Sequence, residues 1–185
     1  MTLLQQLWEL AEREGQKMGL PAFYAFERIG LRMETLAPSE PGYEATPINT
    51  TVFASTGGDG DHFGLLHIDS EVQESSPIVM TIPMDFVNII VGGNLYEFLC
   101  LGYDYGYFAL CDLAYKFRND VIKLPSPDTW VPDCLEDCAD YYAEAETYLP
   151  VLRRELNLKP WPTVESRLNE LQRLYRPLIR LRKDT

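Results

Sequence analysis

The stretch with the most reactive side chains is a short turn in which two carboxylates precede a histidine. Residues 56–61 read Thr-Gly-Gly-Asp-Gly-Asp and place Asp59 and Asp61 directly before His62. An aspartate beside a histidine can supply an acid and a base, so a hydrolase or small-ligand-binding protein that uses Asp59, Asp61 and His62 is one hypothesis. The alternative, which we favour, is a hairpin turn in which glycine supplies positive φ and aspartate satisfies the nearby backbone.

Other chemistries fit the same turn less well. It lacks the lysine and the hydroxyl residue of a phosphate-binding loop, and two carboxylates would repel phosphate. It also has too few spaced oxygen ligands for calcium. Cys134 and Cys138, one helical turn apart, could bind a metal with His62 or His67. Buried reduced thiols are the preferred interpretation, so we expect no catalytic residues, no metal and no cofactor.

Two further groups of residues could form a binding surface. Tyr103-Asp104-Tyr105 alternates tyrosine with an acid, which is typical of interfaces, although core packing at a helix junction explains it as well. A row of acids at helical spacing follows later in the chain: Asp133, Asp137, Asp140 and Glu144.

The row of acids has three interpretations. It could be a solvated helix face, it could dock on the basic stripe of the last helix within one chain or across a homodimer, or it could attract a basic partner. The basic stripe consists of Arg173, Arg176, Arg180 and Lys183. Because exposed ion pairs contribute only about 0–1 kcal/mol each, stability alone would not need so many acids. A binding role is therefore favoured.

The elements that must position these residues follow from the apolar pattern. Period-2 alternation with β-branched residues predicts a strand over residues 47–54. Turn-forming residues bound two further predicted strands, 62–68 and 77–83, and residues 86–91 are another strand or a continuation of the last one. Helices are predicted over residues 3–18, from a cap at Asn94, over 107–117, over 133–149, and from Thr163 onward. Pro177 should bend or end the last helix. Residues 22–36 are ambiguous, and their aromatic content favours extended structure.

This order predicts an α+β fold: a twisted, mainly antiparallel sheet covered by helices, with a helical C-terminal extension. A chain of 185 residues is most simply one domain, here residues 1–185, with a core over 46–117 and a helical part over 132–183.

Three segments carry a resemblance to a known family. They are Phe-Ala-Ser-Thr-Gly-Gly-Asp-Gly-Asp-His-Phe-Gly-Leu at 53–65, Ser-Pro-Ile-Val at 76–79 and Tyr-Glu-Phe-Leu at 96–99. In this order they resemble the SUKH superfamily, which is known for bacterial toxin-immunity proteins and a fungal regulator of cell-wall glucan synthesis. The resemblance implies a non-catalytic protein that neutralises a cognate toxin by covering its active surface.

The net charge of the chain and its distribution indicate which class of partner the protein could bind. Residues 1–152 hold 24 acids and 7 bases, a net charge of −17, whereas residues 153–185 hold 4 acids and 9 bases, a net charge of +5, which together give −12. So acidic a body repels nucleic acid and anionic membranes and attracts basic proteins. No apolar run is long enough to cross a bilayer and no basic leader segment is evident, so a cytoplasmic location is expected.

Together these observations predict a protein-binding protein whose partner is a basic toxin domain. They leave undecided whether the chain forms a homodimer. The predicted surface consists first of Asp59, Asp61, Tyr103, Asp104 and Tyr105, and second of Asp133, Asp137, Asp140 and Glu144.

Overall fold

The alternating apolar segments form one antiparallel sheet. The computed structural model describes residues 1–34, 43–68, 75–133, 136 and 138–182. Within them, five strands lie in sequence order in one sheet, and two short strands form a separate hairpin. The strands of the sheet are β1 (Arg32–Met33), β2 (Thr50–Ser55), β3 (His62–Leu66), β4 (Ile78–Ile82) and β5 (Val87–Gly92); the hairpin strands are β6 (Phe117–Arg118) and β7 (Val121–Ile122).

Helices complete the predicted α+β class, which is confirmed. They are α1 (Leu3–Met18), α2 (Leu95–Leu101), α3 (Cys111–Lys116), α4 (Ala139–Glu155) and α5 (Val164–Tyr175). Asn94 caps α2 as predicted, because its side-chain oxygen accepts a hydrogen bond from the Glu97 amide at 2.9 Å. Pro177 lies in a 3-10 turn directly after α5. No helix in the described part of the chain is long and apolar enough to cross a membrane.

Both faces of the central strands are covered, so β3 and β4 are buried throughout. Along β3, Phe63 and Leu65 join the main core with α1 to α4, whereas Leu66 joins a smaller cluster with Leu171 of α5. Adjacent side chains on a strand point to opposite faces, which explains this division. The alternation that predicts a strand over residues 47–54 does not appear in the burial of β2, where Val52, Phe53 and Ala54 are buried in succession.

Two amides of α5 bind backbone that the sheets leave free at their edges. The Gln172 side chain accepts from the Ile90 amide at 2.9 Å and donates to the Ile90 carbonyl at 2.7 Å. One turn earlier, the Asn169 side chain makes the same two bonds to Ile122, at 2.7 and 2.8 Å. In this way α5 occupies free backbone groups at the edges of β5 and β7, with which another strand could otherwise pair.

The prediction of extended structure over residues 22–36 is wrong for most of that segment. It forms two 3-10 turns, Ala22–Tyr24 and Glu27–Ile29, and only the two-residue strand β1. Gly30 ends the second 3-10 turn. Its φ is +71°, and a Cβ there would lie 2.1 Å from the Phe108 nitrogen. Only glycine allows this left-handed turn and this close approach.

The predicted helix start at Asp133 is also wrong. Helix α4 begins at Ala139, and it continues through Pro150 to Glu155. Asp133 lies before it and forms an ion pair with Lys116 of α3 at 2.6 Å. Before α4, the indole of Trp130 also donates to Asp112 at 3.2 Å, so both Trp130 and Asp133 contact α3.

Candidate binding surface at the Gly/Asp loop

The loop between β2 and β3 has the backbone conformation that its glycines predict. Thr56 donates its amide to the Asp61 carbonyl at 2.9 Å, and Asp61 donates to the Gly58 carbonyl at 3.1 Å. Positive φ angles occur at Gly57, Asp59 and Gly60. The loop is therefore a tight connection that holds Asp59 exposed at its tip and brings Asp61 to the start of β3.

Asp61 is a buried carboxylate whose hydrogen bonding is incomplete. Only 7% of its surface is exposed. Oδ2 accepts a hydrogen bond from Cys111 Sγ of α3 at 3.1 Å, while Oδ1 has no partner among the described residues. Burial raises the pKa of Asp61, the nearby Asp59 and Asp85 carboxylates raise it further, and the bond from Cys111 opposes them.

His62 is buried and bound at both ring nitrogens. Nδ1 lies 2.7 Å from the Gly60 carbonyl, which can only accept, so Nδ1 carries the proton. Nε2, 3.1 Å from Thr46 Oγ1, then accepts from that hydroxyl. Burial lowers the pKa of His62, which keeps the ring neutral.

The arrangement does not form an acid–base pair from Asp61 and His62. The carboxylate bonds to α3, whereas the imidazole bonds to its own loop and to Thr46. Neither ring nitrogen is left to bind a substrate proton, which favours a structural role for His62. Asp59 remains the exposed acid of the predicted trio.

A row of polar side chains crosses the whole sheet at this level. The strand registers align Arg32, Ser55, His62, Thr81 and Asn88, one from each strand. Thr81 Oγ1 donates to Asn88 Oδ1 at 2.7 Å. Strand neighbours in register share a face, so this row places polar groups where apolar ones would otherwise lie.

A cavity of about 370 Å³ lies at the β1 end of this row. Its charged members are Arg32, Glu34, Asp59 and Asp61. Glu34 accepts a hydrogen bond from Ser55 Oγ at 3.1 Å, which fixes its carboxylate. The remaining lining comes from Tyr43, Val52, Ser55, Gly57, Gly58, Gly60 and His62.

Beside the loop, an exposed apolar turn follows β4. The 3-10 turn Pro83–Asp85 leaves Met84 80% exposed, and the next residue, Phe86, is 65% exposed with φ at +52°. A bulky residue rarely adopts this left-handed conformation. Tyr115 of α3 is 56% exposed and forms a side-chain hydrogen bond with Asp85. Partial burial is the main reason why the pKa of Tyr115 is raised.

We call this region the acidic corner and define it by Asp59, Asp61, Met84, Asp85, Phe86 and Tyr115. Asp61 interacts electrostatically with both Asp59 and Asp85, so the loop, the turn after β4 and α3 meet at one place. The corner thus combines closely spaced carboxylates with exposed apolar side chains, a composition that suits a protein interface.

The predicted tyrosines lie elsewhere and are partly used in packing. Tyr103 receives two hydrogen bonds on its carbonyl from Arg153 of α4, whose guanidinium also lies 4.5 Å from the Tyr103 ring centre. Tyr105 meets Trp130 and Tyr142 edge to face, each at 5.9 Å between ring centres. Asp104 between them is exposed. The core-packing alternative therefore accounts for much of both aromatic rings.

The predicted helix acids do not form one continuous row. Asp133 precedes α4, Asp140 lies exposed in its first turn, and Glu144 lies 3.6 Å from Arg28. Asp137 lies outside the described residues. In the basic stripe, Arg176 pairs with Asp120 and stacks on Phe117, and Lys183 lies outside the described residues.

Sequence reasoning missed four of the six residues of the acidic corner. Met84 and Asp85 lie between two predicted strands and Phe86 is the first residue of the second, so a turn with two large apolar residues was a detectable feature. Tyr115 and Cys111 could not have been found this way, because only the packing of α3 brings them to the loop.

Comparison with known proteins adds no relative. No model of a protein family matches the chain, and no curated protein matches it. Among the described residues, no group of three or more histidine, cysteine, aspartate or glutamate side chains could hold a metal ion.

Proposed function

We propose that this chain is a non-catalytic protein-binding protein of the immunity type, which neutralises a basic toxin domain by covering its active surface with the acidic corner. The SUKH resemblance supplies the functional class. The corner supplies the surface, and it includes Asp59 and Asp61 from the sequence-based prediction.

The observation that carries the proposal is the turn after β4. Met84 and Phe86 are large, apolar and mostly exposed, and Phe86 is held in a conformation that costs about 1–2 kcal/mol for a residue with a Cβ. A protein gains nothing in stability from presenting such residues to water. Aromatic and methionine side chains are enriched at interfaces, where a partner removes their apolar surface from water.

Charge supports a basic partner. Asp59 and Asp85 are exposed beside the apolar turn, and the whole chain carries a net charge of −12. A negative surface attracts a positive one over several ångströms, which speeds association at low salt. Nucleases and other enzymes that bind nucleic acid have such positive surfaces. A protein that covers this surface would prevent the nucleic acid from binding.

The test begins with affinity capture on the immobilised chain, identification of the captured protein, and binding kinetics with both proteins purified. The variant D59N/D85N removes two charges from the acidic corner. The matched control E9Q/E12Q removes two charges from exposed positions on α1. A third variant, D140N/E144Q, tests the second predicted surface.

We expect the partner to be basic and its association rate to fall steeply between 50 and 500 mM salt. At low salt D59N/D85N should associate about tenfold more slowly than the parent chain, while E9Q/E12Q should change little. Equal rates for D59N/D85N and E9Q/E12Q would refute the role of the corner. An acidic partner, or binding insensitive to salt, would refute the proposed function.

A further inference from the structure

We infer that the 370 Å³ cavity beside the acidic corner is an anchor pocket for one arginine side chain of the partner. This inference rests on the proposed function, because it names the chemical group that the partner inserts. The cavity adjoins the corner through Asp59 and Asp61, which belong to both.

The charges that line the cavity favour a cation. Three carboxylates, of Glu34, Asp59 and Asp61, face one guanidinium, that of Arg32. Arg32 already has a carboxylate partner outside the cavity lining, since Glu27 lies 3.7 Å from it. An entering anion would thus meet excess negative charge, whereas a guanidinium would be held by more than one carboxylate.

The walls suit a flat group. The Tyr43 ring is nearly parallel to the His62 ring, with an interplanar angle of 18° and 6.1 Å between centres, and about half of Tyr43 is exposed. An arginine can stack on such an aromatic face while its N–H groups reach carboxylates. Since both nitrogens of His62 are bound internally, the imidazole adds no positive charge that would oppose entry.

Incomplete hydrogen bonding points to a missing partner. Asp61 is 93% removed from solvent, by its 7% exposure, and its Oδ1 has no partner among the described residues. Most buried polar atoms are satisfied, so a donor that reaches the Asp61 carboxylate would stabilise it. Arg32 Nε, which also has no partner among the described residues, already has the Glu27 carboxylate near its guanidinium. The volume lies within the range of about 300–1,000 Å³ found for ligand pockets.

The test uses a small probe in place of the unidentified partner. Nα-acetyl-L-arginine methylamide is titrated into the ¹⁵N-labelled chain, and amide shifts of Gly57, Gly58 and Gly60 are followed by NMR. The citrulline analogue has the same shape without the charge and serves as the matched ligand control. The variant E34Q/D59N removes two lining charges, and E9Q/E12Q removes two elsewhere.

We expect saturable shifts at the three glycines with the arginine probe, at least about tenfold weaker binding of the citrulline probe, and a similar loss in E34Q/D59N but not in E9Q/E12Q. Equal binding of both probes, or shifts only at distant amides, would overturn the inference.

The two proposals fail separately. If a basic partner binds with steep salt dependence but the arginine probe does not bind the loop, the pocket inference fails and the function stands. If the probe binds as expected but no basic partner is captured, the function fails and the pocket remains a guanidinium site.

Discussion

Replacing Asp61 with asparagine should stabilise the folded chain at neutral pH. Asp61 is buried, its Oδ1 has no partner among the described residues, and Asp59 and Asp85 lie near enough to repel it. A buried acceptor without a hydrogen bond costs about 1–3 kcal/mol, and more when it is charged. Asparagine removes the charge and keeps an oxygen that can accept from Cys111.

The expected gain is at the lower end of that range. The new amide group occupies the position of the unpartnered oxygen and is itself a donor without a partner, which offsets part of the benefit. We therefore expect D61N to raise the free energy of unfolding by about 1 kcal/mol at pH 7.

The gain should depend on pH in a defined direction. Burial raises the pKa of Asp61 in the folded state above its unfolded value, so the folded state binds the proton more tightly. The parent chain then loses stability as pH rises from the ordinary carboxyl pKa of about 3.9 through the folded pKa, and the loss is complete above it. D61N lacks this loss, so its advantage should be largest at neutral pH and shrink as pH falls through that window.

Urea unfolding at a series of pH values, followed by circular dichroism, measures the difference directly. E12Q is the control, because it removes a carboxylate charge at an exposed position on α1. The reasoning is refuted if D61N is less stable than the parent chain at pH 7, or if its advantage grows on acidification. Either result would mean that the bond from Cys111 stabilises the ionised carboxylate by more than burial costs.

Three further outcomes can be measured. Gln172→Ala should lower the free energy of unfolding, measured in urea, by about 2–4 kcal/mol, because it leaves the buried amide and carbonyl of Ile90 unpaired. Asn169 is only half-buried, so Asn169→Ala should cost less, and equal losses for the two variants would contradict this reasoning. Phe86→Gly should leave the free energy of unfolding unchanged or raise it by up to about 1 kcal/mol, because glycine relieves the positive φ. A clear loss in the same urea experiment would show that the Phe86 side chain packs in the fold. Iodoacetamide should label Cys111 slowly in the folded chain at pH 8, as peptide mass spectrometry can follow, since burial raises the pKa of this thiol and Asp61 raises it further; labelling as fast as in urea would contradict that.

Local patterns were sufficient for most of the sheet and for the first helices. Short runs of strand-forming residues bounded by turn residues predicted β2, β3 and β4 to within a few residues, because strand propensity and turn formation are local properties. Asn94 marked the start of α2, because a capping side chain acts on the backbone three residues away. Interactions of this range can be read from the sequence alone.

The sequence also determined the net charge of −12 and the glycines of the loop, and with the glycines the backbone conformation of the turn. Only the tertiary structure decided what the reactive residues do. It directed Asp61 to α3 and His62 to Thr46, placed Glu34 and Arg32 beside them, and brought Tyr115 to the same corner. The physical reason is distance along the chain, since residues tens of positions apart meet only through packing of helices and strands whose periodicity carries no information about their partners.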